Sequence, residues 1–292
     1  MAVYGMTEKP LLADEQAIEK RDELVELGYT VIPGVLDQEF LEELRLWSDG
    51  VFEQRAVDPR FRYQGSDIHV VTPRHWKTLE DQSETDKRFS HPIVERILDY
   101  PLQREVCRQL QLENLESSES VILLSKPAYG PPLYWHQDCM FWNSPRAATP
   151  WPTRIFLSYY LVDTHRDNGC LKVIPGTHRQ WIDLHDILPN AHEPEIQAID
   201  DLSHDVFMDR SDAVDVPLKA GDLVIADCRL LHSAGPNLTD QRRTLTLAWH
   251  DCLSFPEPPS WWTGDVPEVV KNADPSATYE TTRMPSEYLG AV

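Results

Sequence analysis

The sequence predicts a mainly β domain with flanking helices. Three observations carry this. From about residue 120 the chain becomes a series of short apolar runs rich in β-branched and aromatic residues. Turn signals separate these runs, among them Asp167-Asn168-Gly169 and Gly235-Pro236-Asn237. Before that point, apolar residues recur at helical rather than strand spacing.

Residues 1–13 read as a loose tail. Residues 14–27, DEQAIEKRDELVEL, carry helical apolar spacing, and Gly28 stops that helix. YTVIPGVL (29–36) reads as a short strand running into a turn. Residues 37–56 form a second amphipathic helix with Asp37 as its N-cap. Residues 57–90 are polar and irregular, and 91–116 read as helical through IVERILDY and LQREVCRQLQLENL. The strands that follow are SVILLSK (120–126), PLYWHQDCMFW (132–142), RIFLSYYLVD (154–163), GCLKVIPG (169–176), GDLVIADCRLLHS (221–233) and RRTLTLAWHD (242–251). Several short strands with regular turns suggest a sandwich or barrel. An acidic insert, 180–217, interrupts the series and reads either as a lid or as a solvated surface loop. The Pro-rich stretch from 253 is irregular. The whole is expected to be one domain over 1–292: a mostly helical part to 118, a β core over 119–252 and a tail over 253–292.

At 292 residues and 41% apolar content, the chain can bury a sizeable core. Against 27 Lys and Arg stand 48 Asp and Glu, a net charge of −21. That balance disfavours a nucleic-acid backbone or an anionic membrane surface as partner. No apolar run reaches the roughly 18 residues needed to span a bilayer, and the first residues lack a signal-peptide pattern. The five cysteines, Cys107, Cys139, Cys170, Cys228 and Cys252, form no CxxC and read as reduced thiols. The expectation is a cytoplasmic protein acting on a small molecule, with its oligomeric state left open.

Two of the eleven histidines begin an H-x-D triplet. His165-Arg166-Asp167 runs into a turn, where side chains share no face. His136-Gln137-Asp138 lies in an extended, aromatic-rich run. Side chains alternate along a strand, so His136 and Asp138 share a side with Tyr134, Met140 and Trp142. An isolated H-x-D is either a metal-ligand pair or an ordinary polar pair in a strand. His232 supplies a third donor at the end of GDLVIADCRLLHS, followed by a turn and RRTLTLAWHD. A hairpin symmetric about 237 and 238 sets Arg243 opposite His232. By parity Arg243 shares the face of Leu245, Leu247 and Trp249, so it points inward. An inward Arg needs an anion: a bound carboxylate, or an internal Asp or Glu. Two histidines and one carboxylate are the facial triad of non-haem Fe(II) oxygenases. A 2-oxo acid fills two of the three open positions and O2 the third, and Arg243 suits the far carboxylate of that acid.

These segments together resemble the phytanoyl-CoA dioxygenase family of Fe(II)/2-oxoglutarate oxygenases. The resemblance runs through GYTVIPGVLDQEFLEELR (28–45), WHQD (135–138), DNGCLKVIPGTHR (167–179) and GDLVIADCRLLHSAGPN (221–237), with Arg243 eleven residues after His232. It implies a double-stranded β-helix, or jelly-roll (cupin-like), core. It implies Fe(II) held by His136, Asp138 and His232, with 2-oxoglutarate as cosubstrate anchored by Arg243, and O2 as oxidant. Where some members carry Trp in the strand after the H-x-D, this chain has Ser158, and Ser158 and Tyr160 are candidate further cosubstrate contacts. The implied chemistry is decarboxylation of 2-oxoglutarate to succinate and CO2, coupled to hydroxylation of a substrate C–H bond; some relatives desaturate, epimerise or cyclise instead.

For the substrate, the face bearing Tyr134, Met140 and Trp142 suits an apolar, aromatic or cationic molecule. Lys126, near the expected mouth, is a candidate for meeting a substrate carboxylate or phosphonate; the competing reading is a simply exposed side chain. Trp261 and Trp262 either close over the site or pack down. Two rival readings stand beside this one: a cupin-like metal dioxygenase that does not use 2-oxoglutarate, with no need of an inward Arg243, and a non-catalytic metal-binding jelly-roll module. A structural metal site would favour four closed ligands, but Cys139 faces away from Asp138 by parity.

Overall fold

The computed structural model describes residues 11–54, 65–73, 88–139, 141, 144–188 and 194–278. Helix α1 (Asp14–Leu27) ends where Gly28 takes φ 87° and donates its N–H to Leu24 O. Strand β1 (Tyr29–Ile32) follows, then α2 (Gln38–Gln54), whose first turn is capped by Asp37 accepting from Phe40 N–H at 2.8 Å.

Between α2 and residue 120 the sequence reading needs correction. The stretch expected to be irregular holds β2 (Asp67–Thr72) and β3 (Arg88–Ser90), a parallel pair added to the edge of a sheet. Strand β2 does carry a β-branched signal, in Ile68, Val70, Val71 and Thr72, which the polar neighbours on either side obscure; β3 has one apolar residue, Phe89, and only pairing with β2 decides its state. The expected helix over 91–116 is two helices, α3 (Ile93–Leu98) and α4 (Pro101–Gln109), and it ends before strand β4 (Glu116–Ser117). Pro101 lacks an N–H and opens α4 at its first turn, so the helix cannot run through it.

Eight strands make the core: β5 (Val121–Lys126), β6 (Leu133–His136), β7 (Arg154–Tyr160), β8 (Leu171–Val173), β9 (Val214–Val216), β10 (Leu223–Asp227), β11 (His232–Ala234) and β12 (Arg243–Asp251). The large sheet runs β1-β10-β7-β12-β5-β2-β3, with β4 beside the end of β12; the small sheet runs β6-β11-β8-β9. The core strands switch sheet repeatedly along the chain, and that wiring is the jelly roll.

This wiring overturns two details of the strand reading. GDLVIADCRLLHS is not one strand: it breaks after Asp227, so β10 stays in the large sheet and β11 enters the small one. Nor do β11 and β12 form a hairpin. Arg243 pairs with Lys126 of β5, while His232 pairs with His136 and Val173. The linker between β11 and β12 crosses between sheets, pinned by Asn237, whose side-chain amide donates to Pro127 O at 2.9 Å and Gln241 O at 2.7 Å. The parity argument for Arg243 survives, because it depends only on β12 being a strand.

Three apolar clusters fill the layers. Leu24, Phe40, Leu44 and Val106 from the helices pack with Leu123, Leu157, Tyr159 and Ile225 on the outer face of the large sheet. Phe156, Val173, Val224, Ala226 and Leu245 fill the space between the sheets. The insert covers the small sheet: Leu184 of α5 (Leu184–Ile187), Ile196 of α6 (Pro194–Gln197) and Val206 pack on Trp135, Ile174 and Leu231. Its last part is β9, a core strand. In the tail, α7 (Glu268–Lys271) is short, and Trp262 lies 5.9 Å from Trp151 in the helix-side cluster. The Trp261–Trp262 pair therefore packs down and does not cover the space between the sheets. Among the described residues no helix is long and apolar enough to cross a membrane.

Candidate metal centre

His136 ends β6, and His232 begins β11 directly across the ladder from it. Their rings stand 4.2 Å apart between centroids. Each Nδ1 meets a backbone carbonyl, Tyr134 O at 3.0 Å for His136 and Leu230 O at 2.9 Å for His232. A carbonyl only accepts, so both Nδ1 atoms carry the proton and each Nε2 carries a lone pair, the atom that can ligate a cation. Those Nε2 atoms lie 3.5 Å and 3.7 Å from Asp138 Oδ1. All three donor atoms lie within 4.8 Å of one another, and the three side chains are 3% to 7% exposed. Two neutral nitrogens and one carboxylate oxygen, buried and convergent, fit a divalent transition metal.

Asp138 does not sit in a strand, as the sequence suggested. Strand β6 stops at His136, and Asp138 is carried on the loop beyond it. Three bonds hold that loop. Cys139 N–H donates to Cys228 O at 2.9 Å, the Gln137 side-chain amide donates to Arg229 O, and Trp249 Nε1 donates to Asp138 Oδ2 at 2.8 Å.

The turn that receives two of these bonds is itself locked. Arg229 and Asp227 form a 2.6 Å ion pair, each side chain 1% exposed. Arg229 also donates to the carbonyls of Arg146, Ala147, Thr149 and Trp151. A buried guanidinium thus ties the β10–β11 turn to the segment after the H-x-D loop. Sequence reasoning missed Gln137, Asp227, Arg229 and Trp249. The visible signal was a charged DCR triplet inside an otherwise apolar run.

Arg243 is 2% exposed, and its guanidinium lies 5.3 Å from the Tyr160 ring centroid. Its Nε and Nη1 donors are buried with no acceptor, and no carboxylate of the described residues pairs with it. The internal ion pair that the sequence left open is absent there. Lys126 corrects a second expectation: it is buried, not exposed, and its Nζ donates to Pro131 O at 2.6 Å. Burial, and then the Arg243 guanidinium beside it, pushes the Lys126 ammonium well below its ordinary value of 10.5. A lone buried cation is costly, and a second beside it more so; together they fit a carboxylate or other anion. Tyr160 is 4% exposed, and burial raises its phenol above the ordinary value while Arg243 pulls it back. Ser158 faces the same inter-sheet space from β7, its hydroxyl buried without a partner. Tyr134 is fully buried with its ring 5.2 Å from His136. Met140 and Trp142 lie outside the described residues.

Arg243 and the metal-ligand set belong to one space. Arg243, Leu245, Leu247 and Trp249 alternate onto one face of β12, and Trp249 reaches Asp138. Phe156, opposite Trp249 on β7, lies 5.2 Å from the His232 ring.

The family described as phytanoyl-CoA dioxygenase (PhyH) matches residues 24–245. An ectoine dioxygenase of Bordetella bronchiseptica is 24% identical over 186 residues, which cover 61% of this chain and 60% of that protein. The match thus spans about 60% of that relative's length. Among solved structures, EvdO2 of Micromonospora carbonacea var. aurantiaca has a TM-score of 0.53 and 26% identity, covering 89% of this chain and 98% of that one. The non-haem α-ketoglutarate-dependent carbocyclase SnoK from nogalamycin biosynthesis has a TM-score of 0.56 and 20% identity, covering 80% of this chain and 83% of that one.

Proposed function

Because the chain belongs to the phytanoyl-CoA dioxygenase family, we propose that it is an Fe(II)- and 2-oxoglutarate-dependent oxygenase that hydroxylates a C–H bond of a small organic molecule. Succinate and CO2 are the coproducts. The observation that carries the reading is the pairing of two buried sites in one inter-sheet space: a convergent His136–Asp138–His232 donor set, and an Arg243 guanidinium with orphaned donors.

His136, Asp138 and His232 would hold the iron, and the two Nδ1–carbonyl bonds fix the tautomer and orientation of both rings so that each Nε2 is aimed at the site. Ferrous iron, when bound, supplies the centre at which the 2-oxo acid and O2 meet. Arg243 binds the distal carboxylate of 2-oxoglutarate through its Nε and Nη1 donors, and Lys126 adds a second positive charge. Tyr160 supports the guanidinium from below, and Ser158 offers a hydroxyl to the same molecule. Phe156, Leu245 and Leu247 exclude water around it. Tyr134, whose ring lies 5.2 Å from that of His136, is assigned to the substrate; Met140 and Trp142 stay sequence candidates outside the described residues. A net charge of −21 favours a small molecule over a polyanion.

The test adds Fe(II) and then 2-oxoglutarate to anaerobic protein and follows the visible charge-transfer band of a chelated 2-oxo acid. A band in the parent protein, lost in His232→Ala and needing far more cosubstrate in Arg243→Ala, is the expected result. Folded, metal-bound protein without the band overturns the reading. Succinate release across a compound library, starting with the ectoine named in the Bordetella relative, then finds the substrate. Oxygen-18 from O2 in the product separates hydroxylation from the ring closure named for SnoK.

A further inference from the structure

Asp138 presents its two carboxylate oxygens to different groups. Oδ1 faces His136 Nε2 at 3.5 Å and His232 Nε2 at 3.7 Å. Oδ2 accepts from the indole N–H of Trp249 at 2.8 Å. Trp249 reaches it from β12, in the opposite sheet from both histidines. The donor comes from a regular strand with an unbroken register to β7, from Leu245↔Tyr160 through Asp251↔Arg154. Asp138 itself sits on a loop, where its χ angles are not set by a strand.

We infer that Trp249 is the positioning residue of the metal centre: its N–H holds Oδ2 so that Asp138 offers a single oxygen, Oδ1, to the metal. This deepens the oxygenase reading and rests on it. The reason is one of coordination sites. A three-residue facial set leaves three positions open only when its carboxylate uses one oxygen. A carboxylate free to rotate can chelate through both, and then a position needed by cosubstrate or O2 is closed. An indole N–H suits the task because it donates and cannot itself bind the metal. Outer hydrogen-bond partners of metal ligands typically govern affinity by about 10–100-fold.

The experiment titrates the full-length apoprotein anaerobically with Fe(II) against a chromophoric chelator. It then adds 2-oxoglutarate and records the charge-transfer band. Two variants are compared with the parent: Trp249→Phe, and a protein with 3-benzothienylalanine at position 249, which keeps the ring's shape and replaces only the N–H by sulfur. The expected result is Fe(II) binding weakened by about 10–100-fold in both, with a shifted or weakened band and an unchanged apoprotein melting temperature for the benzothienyl protein. Parent-like Fe(II) affinity and band in the benzothienyl protein overturn the inference, including the case where Trp249→Phe alone is impaired, because the ring's packing is then what matters. Failure of the parent to bind Fe(II), or to form the band, counts against the oxygenase reading instead.

Discussion

Lys126 and Arg243 stand in direct register on adjacent strands of the large sheet, and both are buried. Neither is paired with a carboxylate of the described residues; the Lys126 ammonium has only the Pro131 carbonyl at 2.6 Å. Such an arrangement is unfavourable in the free protein and becomes favourable when an anion arrives, which is the behaviour of a binding site rather than of a structural ion pair.

One consequence is a gain of stability on neutralisation. Arg243→Met removes a buried charge with orphaned donors, so the apoprotein is expected to melt at a higher temperature while 2-oxoglutarate binding weakens by about tenfold or more, the loss of one charge-assisted hydrogen bond or two. Thermal denaturation with and without cosubstrate checks this. A variant that melts lower and binds equally well would show that the guanidinium is structural.

A second consequence concerns pH. The folded-state pKa of Lys126 is lowered from 10.5 by burial first and Arg243 second. Between that lowered value and 10.5 the unfolded chain binds one more proton than the folded one, so this group's contribution to stability grows with rising pH and is lost on falling through the folded pKa. A bound dicarboxylate favours the charged ammonium, so cosubstrate affinity is expected to fall as pH rises through the folded pKa. The charged and titratable groups around Arg243 besides Lys126 are Tyr160 and Cys170; Arg243 pulls both down as well, but burial outweighs it and both stand above their ordinary values, so of the three Lys126 alone is lowered overall. Calorimetric titration in buffers of different ionisation enthalpy should report proton uptake in the parent and none in Lys126→Met; equal uptake in both rules Lys126 out.

The histidines away from the metal centre make the fold acid-sensitive. Burial holds His178, His185 and His250 each at about 4, below the ordinary 6.5. Their folded pKa values are depressed, so their contribution is complete above 6.5 and disappears as pH falls from there to 4. Each accounts for about 3 kcal/mol over that window as an order of magnitude. Urea denaturation at pH 7 and pH 5 tests it: equal stabilities at the two values would contradict the burial argument.

The Asp227–Arg229 pair is expected to dominate local stability. Arg229→Met strands a buried carboxylate and leaves four carbonyls without their donor, and breaking one side of such a pair typically costs about 3–5 kcal/mol. Replacing both, as Asp227→Asn with Arg229→Gln, should cost less than the two single changes summed. Additive costs in a double-mutant cycle would mean that the pair is not coupled.

Much of the metal centre was legible in the chain because its signals are local. H-x-D in an aromatic-rich run, a distal His after an apolar run, and an Arg of inward parity each depend on a few consecutive residues; strand alternation settles only Arg243, because Asp138 lies past the end of β6. A sandwich or barrel was legible in the same way, from strand spacing and turn residues; the jelly roll came from the resemblance those segments carry.

What lay beyond the sequence is what depends on which strand meets which. The expected hairpin placed Arg243 opposite His232, but the chain crosses between sheets there, so Arg243 faces Lys126 and the two histidines face each other. Lys126 looked exposed because nothing nearby in sequence covers it; β12 does, from more than a hundred residues away. Asp138 looked like a strand residue, and only the loop bonds from Gln137, Cys139 and Trp249 fix its place. Alternation is set by bonds between neighbours and can be read off a line of residues. Sheet membership and burial are set by the packing of distant segments, where many pairings of similar strands compete and only the folded whole selects one.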